Sequence, residues 1–355
     1  MSPQPARVAP ARRKWPYYCT ALTLAAAAGA FLWSRAPVPA FQKIVVRLPL
    51  VGDEIVAALD REPPDPAARV NAVLEGTADR QGDRVRVVAE LRREDGHRYW
   101  TRTFDRPLNE IVLEVAAAVA PGVRKRATRH KASVVAYERY LDGRGHFARN
   151  DFANALESFD AATASDGDFA LAFAWQAIAA EQLAEQGSRR PNELLPGARD
   201  AAERALALDS ALPEAHLALG IVKLQYDWDW DQARSELERA RALSPRDARV
   251  AWWYRRWQAA MNQAPAPPLD VPDADSARHL LAEADDLRSQ KYVTPVTFAL
   301  AAAAAHDTES LFRWLDAAYD ERCVQLPYLL RNPALPQSDP RLLELIRRLK
   351  LPTVQ

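Results

Sequence analysis

Small and bulky apolar residues recur along the chain in one frame of about 34 residues. In the clearest copy, which starts at Pro213, the residues that fill the frame are Gly220, Ala233, Leu237, Ala240 and Pro245. Small residues at these offsets let two helices approach closely, and the bulky residue fills the gap toward the next pair. The pattern therefore predicts a mainly α fold of stacked helical hairpins.

Two more copies fill the same positions, the first with Gly143, Ala155, Phe159 and Ala162 and the second with Ala177, Ala198, Ala202 and Ala205. A fourth copy, Ala248 to Ala260, is incomplete, and a later set, Ala299 with Leu311, Leu315 and Ala318, follows the frame loosely. The string EQGSRRPNE interrupts the second copy and predicts a longer turn between its helices. This period and spacing are typical of tetratricopeptide repeats, which we expect over residues 132–263.

An uncharged apolar run, residues 17–34, is bracketed by aromatic residues and preceded by the basic residues Arg7, Arg12, Arg13 and Lys14. Such a run with interfacial aromatics predicts a transmembrane helix. A cleaved signal peptide is the alternative, because small residues follow Ser34. We favour an uncleaved anchor, since the run is longer than the usual apolar segment of a signal peptide.

The distribution of basic residues around the run predicts its orientation. Positive charge concentrates before the run, so residues 1–16 are expected to be a cytoplasmic basic tail. The region after the run then lies outside the cytoplasm. For a bacterial chain this predicts a single-pass inner-membrane protein whose C-terminal region is periplasmic.

Residues 43–123, before the repeats, alternate apolar and polar positions with a period of two. Gly82 and Gly96 mark hairpin turns between short strands. The segment from Asn109 to Val123 has the pattern of an amphipathic helix, with Asn109 as its cap and Pro121-Gly122 at its end. We predict a small α/β domain here, joined to the repeats by a basic linker.

In residues 264–355, the string PAPPLDVP directly after Ala264 predicts a short rigid loop. Helices are expected at Ser276 to Gln290, Pro295 to His306 and Thr308 to Arg322. A last helix, Pro340 to Leu349, is predicted to cap the apolar end of the helical stack.

Composition and motifs argue against catalysis, cofactors and nucleic acid. Lys+Arg and Asp+Glu both number 47, so a formal net charge of zero gives no drive toward nucleic acid. Two cysteines, Cys19 and Cys323, cannot build a disulfide framework or a thiolate metal site. The six histidines lie far apart, and the sequence has no phosphate loop, dinucleotide motif or nucleophile elbow. We therefore expect no catalytic residues, no cofactor and no metal.

One string, DWDWDQARSELE, places acidic residues where a calcium loop has its ligands. Gln232 stands where that loop requires glycine, and the repeat frame requires a helix from Ala233 onward. We expect Asp229 or Asp231 to cap this helix. Calcium binding is the minor alternative.

The string VLEGTADRQGDRVRVVAELRREDGHRYWTRTFDR resembles the TolB/FlgO amino-terminal-like module. That module precedes tetratricopeptide repeats in membrane-bound winged-helix transcriptional regulators and in related adenylate cyclases and kinases. The strings DWDWDQARSELERARALSP and PYLLRNPALPQSDPRLLELIRRLKLP are similar to later parts of the same proteins. The resemblance implies a sensor or adaptor, but residues 1–16 leave no room for a cytoplasmic effector domain, which we expect to be absent.

In such solenoids the first helix of each hairpin lines the groove that holds a ligand. The frame places these residues near the groove: Tyr140, Arg144, Phe147, Trp175, Leu217, Ile221, Gln225, Trp252 and Arg256. Aromatic and arginine side chains are frequent anchors in interfaces, so we predict a partner-binding groove. The alternative is that several of these side chains belong to the core between hairpins. Tyr140 and Arg144 stand where chaperone-binding repeats have basic and Asn residues, which argues against chaperone-tail binding.

These predictions combine into a membrane-anchored, non-catalytic scaffold that engages a protein or peptide in the cell envelope. The alternative is the sensor component of a transmembrane signalling or transcription-regulatory system whose output domain is on another protein. An enzyme with an unrecognised site is a third and less favoured hypothesis. The identity of the partner and the formation of homo-oligomers stay open.

Overall fold

The computed structural model describes residues 43–47, 55, 71–119, 132–265, 269 and 271–352. The predicted basic tail and transmembrane helix, residues 1–16 and 17–34, lie outside the described residues. Within the described part, no helix combines the length and the apolar character that crossing a membrane requires. Two compact units are formed: the first holds the strands and most of the helix that follows them, and the second holds all later helices.

The first unit contains a four-stranded sheet whose strands lie side by side in chain order: β1 (Lys43–Arg47), β2 (Asn71–Gln81), β3 (Arg84–Arg93) and β4 (Arg98–Pro107). β1 pairs with β2 in parallel, and β2 pairs with β3 antiparallel, with Gln81 opposite Arg84. The two hairpin turns contain Gly82 and Gly96 at φ of 65° and 92°, which glycine adopts without steric cost. The small sheet predicted from the alternation is confirmed.

The period-two pattern decides which side of the sheet is buried. Along β3 the buried residues are Val85, Val87, Ala89 and Leu91, and the residues between them are exposed or half-buried. Helix α1 (Leu108–Val119) follows β4 and buries Ile111, Val112, Val115, Ala116 and Val119. Asn109 lies inside the first turn of α1 and not at its cap. The predicted end of the helix at Pro121-Gly122 lies outside the described residues.

The second unit begins with three helical hairpins and one further first helix. These are α2 (Val134–Ala148) with α3 (Phe152–Ser165), α4 (Ala170–Glu185) with α5 (Pro191–Leu208), α6 (Pro213–Val222) with α7 (Trp230–Leu243), and then α8 (Ala248–Ala260). The two helices of each hairpin contact each other, and α3 contacts α4, α5 contacts α6 and α7 contacts α8. The mainly α, tetratricopeptide-like stack predicted from the frame is confirmed.

Two glycines of the frame show how closely the paired helices approach. A Cβ on Gly143 would stand 2.7 Å from Cε1 of Phe159, and a Cβ on Gly220 would stand 3.0 Å from Cγ of Leu237. Phe159 and Leu237 are the bulky residues of their copies, and both are fully buried. The small and large positions of the frame therefore meet across the hairpin, as ridge-and-groove packing requires.

The insertion in the second hairpin is shared between a turn and a helix. The turn before α5 spans residues 186–190, whereas the turn of the first hairpin spans residues 149–151. Helix α5 has 18 residues, against 14 in α3 and 14 in α7. The prediction of a longer turn is therefore only partly right, because α5 is lengthened as well.

A π-helical turn, Lys223–Asp227, extends α6 and ends at Trp228, whose φ is 56°. A π turn closes its hydrogen bond over one more residue than an α-helix does. In the copy that starts at Pro213, Ala233 follows Gly220 by 13 positions, whereas Ala155 follows Gly143 by 12 in the first copy. The π turn accommodates this extra residue, and Gln225 lies within it.

In the described part of the chain, six further helices follow α8: α9 (Ala274–Ala282), α10 (Ala284–Gln290), α11 (Pro295–Ala304), α12 (Thr308–Asp320), α13 (Leu326–Leu329) and α14 (Pro340–Arg348). The helix predicted over Ser276 to Gln290 is interrupted at Glu283, and α13 was not predicted. Helices α11 and α12 form a further hairpin, in which the loose frame residues Ala299, Leu311, Leu315 and Ala318 are buried. All six belong to the same unit as the repeats.

The last helix, α14, turns one side toward the interior. Its residues Leu342, Leu345 and Ile346 are buried. Just beyond it, the carbonyl of Leu349 accepts a hydrogen bond of 2.7 Å from Nε1 of Trp230 at the start of α7. The C-terminal helices are thereby connected directly to the third hairpin.

Candidate partner-binding site

All nine predicted groove residues lie on the first helices of the hairpins, α2, α4, α6 and α8, or on the π turn after α6. We call this surface the first-helix face. Six of these side chains are buried: Tyr140, Trp175, Leu217, Ile221, Gln225 and Arg256. Arg144 and Phe147 are half-buried, whereas Trp252 has 47% of its surface exposed. These six side chains are not accessible to a further partner in this state. They fit the alternative in which such side chains belong to the core between hairpins.

The chain's own C-terminal region covers part of the first-helix face. Residues 323–330, which we call the internal segment, include the single-turn helix α13, and all of them except Gln325 are buried. Helix α13 contacts α8. Three residues of the first-helix face form hydrogen bonds with this segment: Glu185, Gln225 and Arg256. We call them the closed part of the face.

Three polar contacts join the internal segment to the closed part. The Gln225 side-chain amide is oriented so that both its nitrogen and its oxygen have partners. The nitrogen donates to the carbonyl of Val324 at 2.8 Å, and the oxygen accepts from Nη2 of Arg256 at 3.2 Å. Nε2 of Gln325 donates to the backbone carbonyl of Glu185 at 2.8 Å. Nε of Arg256 donates to the hydroxyl of Tyr328 at 3.5 Å. Only the first of these contacts uses a backbone atom of the internal segment, so it depends on the path of that segment and not on one of its side chains.

Arg256 is the centre of the closed part. Its Nη1 forms an ion pair with Glu185, and its guanidinium carbon lies 4.8 Å from the ring centroids of both Tyr328 and Trp252. Burial opposes the charge of Arg256, but Tyr328 and Glu185 beside it outweigh burial and raise its pKa above the ordinary value. A buried charge is tolerated only with such partners, so Arg256 depends on Glu185 and Tyr328.

Glu181 lies one helical turn before Glu185 and is fully buried. Its Oε2 accepts from Nε2 of Gln182 at 2.7 Å, but its Oε1 has no hydrogen-bond partner among the described residues. Burial, with the neighbouring Glu185 as the second cause, raises the pKa of Glu181 well above its usual value. An acid with unused hydrogen-bonding capacity therefore lies beside the closed part.

Two opposing free energies of similar size act on the internal segment. Burial of its five large apolar side chains, Val324, Leu326, Tyr328, Leu329 and Leu330, stabilises docking by about 10 kcal/mol at about 2 kcal/mol each. Ordering the backbone of its eight residues costs about 12 kcal/mol at about 1.5 kcal/mol per residue. A single helical turn contributes little by itself. The polar contacts therefore decide much of the net stability of docking.

A second portion of the first-helix face, which we call the open part, is accessible: Arg144, Phe147, Arg249 and Trp252. The buried indole of Trp175 connects its members. The guanidinium carbons of Arg144 and Arg249 lie 4.0 and 4.6 Å from the Trp175 ring centroid, and the Phe147 ring lies 5.1 Å from it. Arg249 and Trp252 are three residues apart on α8, so they share one side of that helix.

The charges of the open part are held in defined positions. Asp247 accepts from Nε and Nη2 of Arg249 at 3.0 and 2.5 Å, and Tyr140 accepts from Nη1 of Arg144 at 2.8 Å. Burial raises the pKa of Asp247, but Arg249 outweighs burial and holds it below its usual value. Ordered guanidinium groups lose little conformational freedom on binding, which favours them as contact residues.

The predicted groove residues do not include four residues that the structure places on the first-helix face or in the internal segment: Glu181, Glu185, Arg249 and Tyr328. Arg249 had a detectable signal, because it precedes Trp252 by about one helical turn in the fourth copy. Tyr328 had none, since α13 lies outside every copy of the frame. Glu181 and Glu185 lie on α4, where acidic residues normally indicate a solvated side.

The calcium-like string forms a helix and its cap. Oδ1 of Asp229 accepts from the backbone N–H of Gln232 at 3.1 Å, and α7 begins at Trp230. The prediction that Asp229 or Asp231 caps this helix is confirmed for Asp229. Among the described residues, no group of three or more His, Cys, Asp or Glu side chains could hold a metal ion.

Solved structures of tetratricopeptide (TPR) domains are similar to parts of the chain. The first TPR of Spaghetti (RPAP3), bound to an HSP90 peptide, is 18% identical, covers 36% of this chain and 94% of its own, and has a TM-score of 0.29. The Arabidopsis OM64 TPR domain is 15% identical, covers 35% and 94%, and scores 0.30. A thermophilic TPR protein in Thermus thermophilus is 16% identical, covers 61% and 97%, and scores 0.31.

No protein-family model matches the chain, and no curated protein matches it. At the identities and TM-scores of the solved structures, the likeness adds no argument about function. The repeat architecture rests on the helix packing described above.

Proposed function

We propose that the protein is a non-catalytic scaffold that binds a protein or peptide partner through the open part of the first-helix face. The observation that carries this proposal is the exposure of Trp252, 47% of whose surface is accessible. It is the only exposed tryptophan, tyrosine or phenylalanine within the described residues. Tryptophan and arginine are the residue types that most often dominate binding energy in interfaces.

The surroundings of Trp252 support a contact role. Its ring meets the buried Trp253 edge-on, with centroids 4.7 Å apart, and the guanidinium of Arg256 lies against it. An indole positioned by its neighbours loses little freedom when a partner covers it. Arg249 adds a flat cationic surface on the same side of α8, so a partner segment with both apolar and acidic groups fits the open part.

Anchoring in the bacterial inner membrane is part of the proposal. The uncharged run at residues 17–34 and the basic residues before it support a single transmembrane helix with a cytoplasmic N-terminus. The helical repeats then lie in the periplasm. Reporter fusions after Ala40 test this topology: a periplasmic reporter is expected to be active there, and activity of a cytoplasmic reporter would reverse the orientation.

Site-specific photocrosslinking tests the contact role of the open part. A photoreactive amino acid at Trp252 is compared in living cells with one at Glu203, an exposed residue of α5. A discrete adduct from position 252 but not from position 203 is expected, and mass spectrometry then identifies the partner. Equal adducts at both positions, or none at position 252, would contradict the proposal. A membrane-spanning regulator with a cytoplasmic output domain as the crosslinked partner would favour the alternative sensor function.

A further inference from the structure

We propose that the closed part of the first-helix face is itself a peptide-binding site, which the internal segment fills in cis and which a partner segment of the same chemistry can occupy in exchange. The ligand class is a single apolar helical turn that carries a phenol hydroxyl and leaves one backbone carbonyl free on its N-terminal side. This inference deepens the proposed function and rests on it, because both assign partner binding to the first-helix face.

The contacts of the internal segment define that chemistry. Gln225 bonds with the carbonyl of Val324, which α13 does not use, and Arg256 bonds with the hydroxyl of Tyr328. The leucines nearest to Tyr328 in the segment, Leu326, Leu329 and Leu330, are all buried. A segment that lacks the hydroxyl would leave Arg256 with one partner fewer inside a buried site.

The closed part is more polar than helix packing alone requires. Glu181, Glu185, Gln225 and Arg256 lie close together in a stack whose other packed positions are mainly alanine and leucine. Buried polar groups are costly unless an occupant completes their hydrogen bonds. A set of polar groups that needs an occupant is typical of a recognition site, and Oε1 of Glu181 still has no partner among the described residues.

The internal segment is also built to detach locally. Its only helix, α13, has four residues, and a helix of that length is not stable by itself. Arg322, just before the segment, has a left-handed φ of 56°, and no helix is present from Leu330 to Asp339 after it. Segments with short helices and irregular flanking residues are among the parts of a fold that unfold locally at the lowest free-energy cost.

Tethering determines how the exchange can be observed. A segment attached to its own site acts at an effective concentration on the order of millimolar, so a free peptide at micromolar concentration does not displace it from the unaltered chain. Weakening the internal segment, while leaving Glu185, Gln225 and Arg256 unchanged, removes this competition. The closed part then becomes measurable as a binding site.

The test uses the purified full-length protein and a fluorescent synthetic peptide with the sequence of residues 324–331, VQLPYLLR. Anisotropy is measured for the unaltered chain, for the double variant Tyr328→Ala, Leu329→Ala, and for Leu343→Ala as a control on the exposed side of α14. Saturable binding to the double variant is expected, at least tenfold tighter than to the other two proteins. A peptide with phenylalanine in place of tyrosine should bind the double variant several-fold more weakly.

Two results would overturn the inference. The double variant could lose its helical circular dichroism, which would show that the internal segment is an inseparable part of the core. It could also stay folded and fail to bind the peptide. Either result leaves crosslinking from Trp252 as an independent measurement, so the exchange can fail while the proposed function stands. Conversely, peptide binding without any crosslinked adduct at position 252 would support the closed part as a binding site and contradict the contact role of the open part.

Discussion

Arg256 and Tyr328, which are 72 residues apart in the chain, meet through both a hydrogen bond and a ring contact. Nε of Arg256 lies 3.5 Å from the phenol oxygen, and the guanidinium carbon lies 4.8 Å from the centroid of the same ring. The first belongs to the incomplete fourth repeat and the second to a one-turn helix outside the repeats. Their contact joins the repeats to the C-terminal region in one structural unit.

Removal of the Arg256 side chain should be strongly destabilising. Arg256→Ala leaves Glu185 without its ion-pair partner, and breaking a buried pair from one side costs about 3 to 5 kcal/mol. Arg255→Ala, at the exposed neighbouring position, is the matched control and should change the free energy of unfolding by less than about 0.5 kcal/mol. Urea unfolding of both variants checks this, and equal small effects would show that the pair is not a stability determinant.

The close approach of α2 and α3 can be tested with two glycines of the same helix. Gly143→Ala should destabilise by about 1 to 2 kcal/mol, because overpacking against Phe159 outweighs the helix propensity gained with alanine. Gly145→Ala meets only the end of the Arg149 side chain and should stabilise by up to about 1 kcal/mol. Opposite shifts in melting temperature are expected, and a stabilising Gly143→Ala would contradict the packing.

Glu181 should make stability depend on pH. Its pKa is raised above 4.5 in the folded state, so its contribution is complete at pH below 4.5 and is lost as pH rises toward the folded value. Glu181→Gln should therefore be more stable than the unaltered chain at neutral pH, with a difference that grows by at most about 1.4 kcal/mol per pH unit. Urea unfolding from pH 4 to 8, with the exposed variant Glu203→Gln as a control, measures this. A Glu181→Gln variant that is less stable at every pH would show that Arg256 keeps the acid ionised.

Trp252 and Trp253 are adjacent and should behave in opposite ways. Trp253→Ala removes a buried side chain and should cost about 3 to 5 kcal/mol of unfolding free energy. Trp252→Ala should cost less than about 1 kcal/mol, yet abolish the adduct formed from a photoreactive group at Arg249. Thermal melts and crosslinking yields check both effects. A large loss of stability in Trp252→Ala would assign it to the core instead.

The last helix offers a pair of variants on one element. Ile346→Ala, at a buried position of α14, should destabilise by about 2 to 5 kcal/mol. Leu343→Ala, at an exposed position of the same helix, should stay within about 0.5 kcal/mol of the unaltered chain. Melting temperatures of the two variants provide the measurement, and equal values would show that α14 does not cap the stack.

The hairpins could be predicted from sequence because their packing is local and periodic. Gly143 with Phe159 and Gly220 with Leu237 lie at fixed offsets within one copy, so the frame encodes their contact directly. The turn glycines Gly82 and Gly96 were predictable for a similar reason, since their backbone conformation is close to glycine-specific.

The burial of the groove could not be predicted in the same way. Which side of a first helix faces water depends on what covers it. In the closed part this cover is the internal segment, which lies far along the chain and has no repeat signature. Gln225 and Arg256 therefore look like exposed contact residues in sequence, although both are buried. Trp252 has the same chemical signature, yet 47% of its surface is exposed.

Proteins built from tandem repeats can often be shortened or extended by whole units, because each unit relies only on its neighbours. This chain should not tolerate such editing. A fragment that stops at residue 263 would retain every helical hairpin of the array, yet Gln225 and Arg256 would lose Val324, Tyr328 and the packing around them. Such a fragment would carry an unfilled site, so a domain boundary drawn from repeat spacing alone would separate this site from the segment that occupies it.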